Sequence, residues 1–289
     1  MQEFLFAAPG SLEPTIIAAV LGLLLGSFLN VVIYRLPEMM EREFDNACAE
    51  HCGKEPVHAD TFTLSVPRSA CPCCGHKIAW YENIPVISYL VLRGKCSGCK
   101  TPISLRYPAI EVLAGALSAL MIWKFGSGWA GMAAMAFGLL IIAMTFIDLD
   151  TMYLPDDLTY TLLWLGLLIN LNGSFAPLQD AVIGAVAGYM ALWSVNALYK
   201  LVRKREGMGG GDLKLLAALG GWMGWQMLPA IILLSSFVGA LVGIAMMVFK
   251  NHGREQPIPF GPYLTGAGLL VLLYGPQVRA LMQNFLTPQ

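Results

Sequence analysis

The chain has 289 residues, 56% of them hydrophobic and 13% charged, and a mean hydropathy of +0.62. That balance excludes an ordinary soluble globular domain and makes the membrane the expected solvent. A net charge of −1 offers no basic surface for a nucleic-acid partner.

A helix needs roughly 20 apolar residues to cross the hydrocarbon core. The first such run, residues 14–34, carries no Asp, Glu, Lys or Arg. It lacks the basic start and small-residue cleavage site of a signal peptide and continues directly into GSFLNVVIYRLP, so it is expected to be a retained span. Residues 35–107 then form the one sizeable polar segment. A span is expected from about Ala109 to Trp123, with Glu111 near its start, and uncharged runs follow at 125–147, 158–179, 181–199 and 256–278. The uncharged stretch 215–249 is too long for one span, and Gly220, Gly221, Gly224 and Pro229 mark a turn inside it, so it counts as two. The expected fold is an all-α polytopic membrane protein of about eight transmembrane helices with a small zinc-binding cytoplasmic insert. Its segments are a first span at 1–34, the insert at 35–107 and a seven-span core at 108–289.

With the N-terminus outside, this arrangement puts sixteen of the eighteen Lys and Arg in inside loops, Arg205, Lys250 and Arg254 among them, and leaves only Lys124 and Arg279 outside. The bias predicts a periplasmic N-terminus, a cytoplasmic insert and cytoplasmic loops at 148–157 and 206–214.

All seven cysteines lie in the insert, where reducing cytosol favours metal binding over disulfides. Cys71-Pro72-Cys73-Cys74 and Cys96-Ser97-Gly98-Cys99 form two C-x-x-C pairs, the spacing of a tetrahedral thiolate site in a small ribbon or knuckle. Spacing selects Cys71, Cys74, Cys96 and Cys99 as ligands and leaves Cys73 spare. Four thiolates leave no open position, so the expected zinc is structural. Cys48 and Cys52, with His51 between them, lack a fourth partner and are read as free thiols.

Two short inside loops do more than join helices. Asp148, Asp150, Asp156 and Asp157 crowd the first, DLDTMYLPDD, directly after the apolar run GLLIIAMTFI. In the second, Gly209-Gly210-Gly211-Asp212 opens another apolar helix on the same side, with Lys214 two residues on. Two close carboxylates in a partly dry site share a proton; one then activates water while the other donates to an amide carbonyl. Glycines would let the backbone turn tightly and let an extended substrate approach Asp212, and Lys214 would tune the pair. The plain alternative is that Asp212 caps a helix N-terminus beside an ordinary solvated acidic loop.

The motif IDLDTMYLPD at 147–156, followed by GGGD at 209–212, resembles the membrane GxGD aspartyl proteases, and within them the type IV prepilin peptidases. The resemblance extends over nearly the whole chain, through Gly26-Ser27-Phe28-Leu29-Asn30, Tyr34-Arg35-Leu36-Pro37, Glu82-Asn83-Ile84-Pro85, Leu92-Arg93-Gly94-Lys95 and Arg106-Tyr107-Pro108 with Glu111. It implies Asp148 and Asp212 as the catalytic pair, with Asp150 and Asp156 as accessory acids alongside Gly209, Gly211 and Lys214. It further implies type IV prepilins and type II secretion pseudopilins as substrates, cut between a short basic leader and an apolar stem in the bacterial inner membrane, with lipid as the surroundings.

The zinc-type insert is the mark of the bifunctional members, so the resemblance also implies N-methylation of the new terminus by S-adenosylmethionine. No Rossmann-like glycine fingerprint for that cofactor is present. Arg35, Glu82, Arg93, Gly94 and Lys95 are candidates to contact cofactor or amine, with loop folding and helix-end charge as the alternative. Asn30 is singled out for function, whereas Asn170 and Asn196 are read as hydrogen-bonding neighbouring helices. Gly184, Gly188, Gly239 and Gly243, at x-x-x spacing, are expected to permit close packing. A proton-relaying transporter would need acids nearer mid-membrane, and a docking scaffold would tolerate loss of either aspartate.

Overall fold

The computed structural model describes residues 8–204, 207–249 and 258–286. Arg205, Lys250, Arg254 and the first two residues of the last expected span lie outside the described residues. Eight long helices are described: α1 (Leu12–His51), α2 (Arg106–Phe125), α3 (Trp129–Thr151), α4 (Asp156–Ile169), α5 (Leu178–Arg203), α6 (Gly210–Met223), α7 (Leu228–Phe249) and α8 (Gly261–Leu286). Each falls on one of the eight expected runs. Six are long and apolar enough to cross a membrane; α4 and α6, of 14 residues each, are not. At 1.5 Å per residue they extend about 21 Å, short of the roughly 30 Å core. The chain therefore makes a multi-pass membrane protein in which two helices are partial.

Two units are distinguished, residues 1–143 and 144–289, and α3 runs through the boundary between them. In the first, α1 is 40 residues long and continues well past the apolar run, through Pro37, to His51. It packs on α2 through glycines: a Cβ at Gly22 would lie 2.5 Å from Ser118 Oγ, and one at Gly26 would lie 2.8 Å from the Glu111 Cα. Asn30 donates to the carbonyl of Tyr107 at 3.2 Å, so the residue singled out for function ties α1 to the start of α2.

The second unit is organised around α6, which is buried along its whole length from Leu215 to Met223. A helix apolar on every side belongs at the centre of a bundle. Gly220 of α6 and Gly184 of α5 meet backbone to backbone, and a Cβ on either would lie within 2.4 Å of the other's carbonyl oxygen. Gly188 meets the Leu216 carbonyl in the same way, as the spacing of Gly184 and Gly188 leads one to expect. On the α4 side, Gly166 leaves room for the Trp222 ring, whose Nε1 donates to the Leu162 carbonyl at 2.7 Å. Asn170 closes the far end, donating to the carbonyls of Gly221 and Trp222 and accepting from the amides of Phe175 and Ala176. This side chain is fully buried with four partners, the role that an Asn inside a bundle serves. Asn196 accepts from the Gly207 amide at 3.1 Å and so pins the chain entering the glycine run.

Gly220→Val would place side-chain atoms on the Gly184 backbone and is expected to destabilise the second unit by about 3 kcal/mol or more. Gly266→Ala, at a position with open space around its Cβ, is expected to raise stability by roughly 0.5–1 kcal/mol. Thermal unfolding of the detergent-solubilised variants checks both.

Candidate active site and metal centre

Asp148 lies in the last turn of α3, which Met152 ends by taking a left-handed conformation and returning its amide to the Asp148 carbonyl at 2.9 Å. Its side chain is 4% exposed. The Gly261 amide, at the start of α8, donates to Asp148 Oδ2 at 2.9 Å, and a Cβ at that position would sit 2.6 Å from the same oxygen. Residue 261 must therefore be glycine for the helix end to approach the carboxylate. Sequence reading missed Gly261; the signal available was a Gly-Pro pair opening an apolar run.

Asp212 stands in the first turn of α6, half-buried, and the Asp148 charge reaches it through space. Leu154, buried at 4%, fills the space beside them and is what a Cβ at either Gly211 or Gly261 would strike. None of Gly209, Gly210 and Gly211 has a positive φ, so a tight turn is not their reason. Gly211 is required by Leu154, while Gly209 and Gly210 face open space.

The Leu-Pro-Asp run is accounted for residue by residue. Leu154 plugs the starts of α6 and α8, Pro155 occupies the N-cap of α4, and Asp156 in the first turn of α4 binds Lys214 through both oxygens at 2.6 and 2.7 Å. Lys214 also lies 5.4 Å from the Tyr160 ring centroid. It is engaged with Asp156 and Tyr160 and does not bond the pair. Asp150 is exposed on the last turn of α3.

In the first unit, the polar segment builds two matching loops. An antiparallel bridge joins Ala70 to Lys77 and another joins Lys95 to Pro102. In each loop the first cysteine amide bonds across the loop, Cys71 to the His76 carbonyl and Cys96 to that of Thr101, both at 2.9 Å. Each loop then passes through a left-handed residue after its second cysteine, Gly75 in one and Lys100 in the other. The Sγ atoms of Cys71, Cys74, Cys96 and Cys99 lie within 4.8 Å of one another, with Cys71 and Cys99 at 3.8 Å and Cys74 and Cys96 at 4.0 Å. Ligands about 2.3 Å from a tetrahedral ion stand about 3.8 Å apart, so this cluster can hold a metal ion. The Thr101 hydroxyl and amide pull the Cys99 thiol down to about 6, while Cys74, against the pull of its backbone bond at His76, is pushed up to about 12 by its bonds with the neighbouring thiols.

Glu82 belongs to this architecture. Its carboxylate accepts from the Ala79 amide at 2.8 Å and meets the His76 ring at 3.2 Å, and the nearby Ser97 hydroxyl of the second loop, with these partners, lowers it to about 2. Arg35, buried at 7%, donates to the carbonyls of Thr63 and Pro67 at 2.9 and 2.7 Å. Gly94, left-handed, packs against the Tyr89 ring, while Arg93 and Lys95 beside it are exposed. Among the five candidate cofactor contacts, Arg35 and Glu82 spend hydrogen bonds on the loop itself and Gly94 lies against Tyr89. Cys48 and Cys52 are exposed at the end of α1 and stand outside the four-sulfur cluster.

Comparison with known proteins bears on both units. Residues 20–125 match the bacterial peptidase A24 N-terminal domain, and residues 134–244 match the type IV leader peptidase family. The chain is 52% identical over 267 residues to a prepilin leader peptidase/N-methyltransferase of Aeromonas hydrophila, covering 91% of this chain and 92% of that one. It is 52% identical over 282 residues to the protein so named in Stutzerimonas stutzeri, covering 97% of each chain. The corresponding Pseudomonas aeruginosa protein is 52% identical over 266 residues, covering 92% of each. No solved structure matches the chain.

The purified protein is expected to carry one metal ion per chain, lost in Cys96→Ser and kept in Cys73→Ser. Glu82→Ala, which unlinks the loops, is expected to weaken metal retention about tenfold or more. Elemental analysis and competition with a chromogenic chelator measure both.

Proposed function

The chain belongs to the type IV leader peptidase family, and from that premise we propose that Asp148 and Asp212 hydrolyse the leader bond of prepilin-type substrates by an aspartyl mechanism. The observation that supports this reading is that Gly211, next to Asp212, and Gly261, whose amide bonds Asp148, both pack on the one Leu154 side chain, so the starts of α6 and α8 lie together.

Close carboxylates in a partly dry site keep one proton between them. The Gly261 amide bonds Asp148, and a hydrogen bond to a charged group contributes about 1.5–3 kcal/mol. The opposing field of the α3 C-terminus amounts to about 0.3–1 kcal/mol. The direct bond is the larger effect, so Asp148 is the ionised partner and Asp212 holds the proton. Asp148 then takes a proton from water as the water oxygen attacks the amide carbon, and Asp212 gives its proton to the carbonyl oxygen. Collapse of the tetrahedral diol breaks the C–N bond: the amine leaves with the proton that Asp148 had accepted, and one hydroxyl returns its proton to Asp212 as the carboxylic acid forms. Asp156 and Lys214 fix the starts of α4 and α6 against each other and so hold Asp212 in place.

The second activity is N-methylation of the new terminus with S-adenosylmethionine as donor of an electrophilic methyl group. Exposed Arg93 and Lys95 are the members of the candidate set available to an anionic cofactor group. The ion in the four-cysteine cluster is zinc, in a structural role. The enzyme resides in the bacterial inner membrane with the N-terminus periplasmic and the carboxylates and cysteine insert on the cytoplasmic side, where they meet pilin and pseudopilin precursors.

Asp148→Asn and Asp212→Asn are each expected to reduce leader cleavage at least 1000-fold while the protein still inserts and melts as wild type. The product mass of a purified prepilin, read with and without S-adenosylmethionine, checks this; a variant that cleaves at the wild-type rate refutes the pair. Because no metal takes part in the hydrolysis, chelation of the cysteine site is expected to leave the cleavage rate within about twofold. The shared proton predicts a bell-shaped pH profile for cleavage, with both limbs changed in either Asn variant.

A further inference from the structure

Glu111 is buried within α2, a helix long and apolar enough to cross the membrane, and the proposed hydrolysis makes no use of it. Its depth follows from its neighbour. The uncharged run 14–34 of α1 is about 31 Å long at 1.5 Å per residue, as long as the hydrocarbon core is thick. Ser27 therefore lies about 10 Å inside the end of that run nearer the polar segment. Glu111 stands at the same level, because a Cβ at Gly26 would lie 2.8 Å from its Cα.

The middle of the polar segment reaches down to this pair. The Val86 amide donates to Glu111 Oε2 at 2.8 Å, and the Ser27 hydroxyl donates to the Asn83 carbonyl at 3.5 Å. Val86 takes a positive φ of 59°, rare for a β-branched residue, as it delivers its amide. The amides of Ser88, Leu90 and Leu92 then bond the carbonyls of Ile84, Val86 and Ser88 around the short helix Ile87–Val91. Non-helical backbone enters a bilayer only where protein meets its polar groups, and here a carboxyl and a hydroxyl of two spans meet them. The outward side chains of the same stretch are apolar: Trp80 is 82% exposed, Leu90 68% and Val91 75%.

We propose that residues 80–91 form a re-entrant segment, held by Glu111 and Ser27 in the boundary between acyl chains and headgroups of the adjoining leaflet. The partner of this surface is lipid: Leu90 and Val91 lie among acyl chains and Trp80 at the headgroup level, where its amphipathic ring is favoured. The two cysteine loops flank the segment along the chain, and Glu82 within it meets His76 of the first loop at 3.2 Å. The segment thus moors the four-sulfur cluster at the membrane surface.

The test places a fluorescent amino acid at Leu90, or at the exposed Val57 beyond the apolar run as reference, in the full-length protein in lipid nanodiscs. Iodide in the water is expected to quench the Leu90 probe about fivefold less than the Val57 probe, and lipids brominated in their acyl chains to quench Leu90 alone. Glu111→Leu, which removes the acceptor, is expected to bring the Leu90 probe to the Val57 value, whereas Glu111→Gln, which keeps one, leaves it in lipid. Iodide quenching at Leu90 equal to that at Val57 in the wild type would overturn the proposal. So would protection of Leu90 from both quenchers, the mark of a protein cover, or unchanged lipid quenching in Glu111→Leu.

Discussion

The second unit depends on one contact, the Gly261 amide against the Asp148 carboxylate. A carboxylate buried at the end of an apolar helix loses its water, a penalty of several kcal/mol for an ion left without a partner. The chain answers by bringing the N-terminus of another helix onto the oxygen, at a distance only a residue without a Cβ permits. That approach fixes where α8 begins, which in turn fixes the space that Leu154 fills and the requirement for glycine at 211. Asp212 stands in the first turn of α6, but only Asp148 receives an amide from the start of another helix, which sets the two acids apart.

The two partial helices follow from the same need. Were α4 and α6 full spans starting at the level of the aspartates, their far ends would project beyond the bundle. At 14 residues each they end inside it, and the polar groups exposed there must be met by protein, since no water is available at that depth. Asn170 meets them: one buried amide satisfies two carbonyls at the end of α6 and two amides after α4. Glycines then bring α5 and α6 close enough for dispersion contacts to replace the hydrophobic drive that lipid does not supply.

Much of this was legible in the residues. Uncharged runs located all eight helices, because the absence of charge is a strong signal in a membrane protein, and the C-x-x-C spacing located the four sulfurs. Length was harder to read: a 14-residue helix followed by a short apolar connection, as at 156–172, looks like one continuous run until backbone geometry separates them. The acids were visible as residues, but their partners were not. Lys214 reads as a neighbour of Asp212 along the chain, whereas the fold gives it to Asp156 on α4. Gly261 carries no chemistry of its own, and its role exists only once α8 is placed against α3. Arg35 and Glu82 stand in motif-rich segments yet spend their hydrogen bonds on the loop itself, which no spacing rule distinguishes from ligand contact.

The cysteine loops solve a different problem with few residues. A polar segment with little apolar area cannot fold on burial alone, and a cluster able to hold a metal ion can replace the missing core. The two loops repeat one backbone path, but at the left-handed position one uses Gly75 and the other Lys100. An L-residue with a side chain costs about 1–2 kcal/mol in that conformation, so the second loop has to be held by contacts the first does not need. Glu82 supplies them, reaching from the Trp80–Asn83 turn to Ser97 in the second loop and His76 in the first. Because that carboxylate is drawn down to about 2, its contribution is complete above the ordinary glutamate range and fades only as pH falls toward 2. The link that Glu82 makes therefore persists at neutral pH, and it holds the two loops so that their four sulfurs face one another.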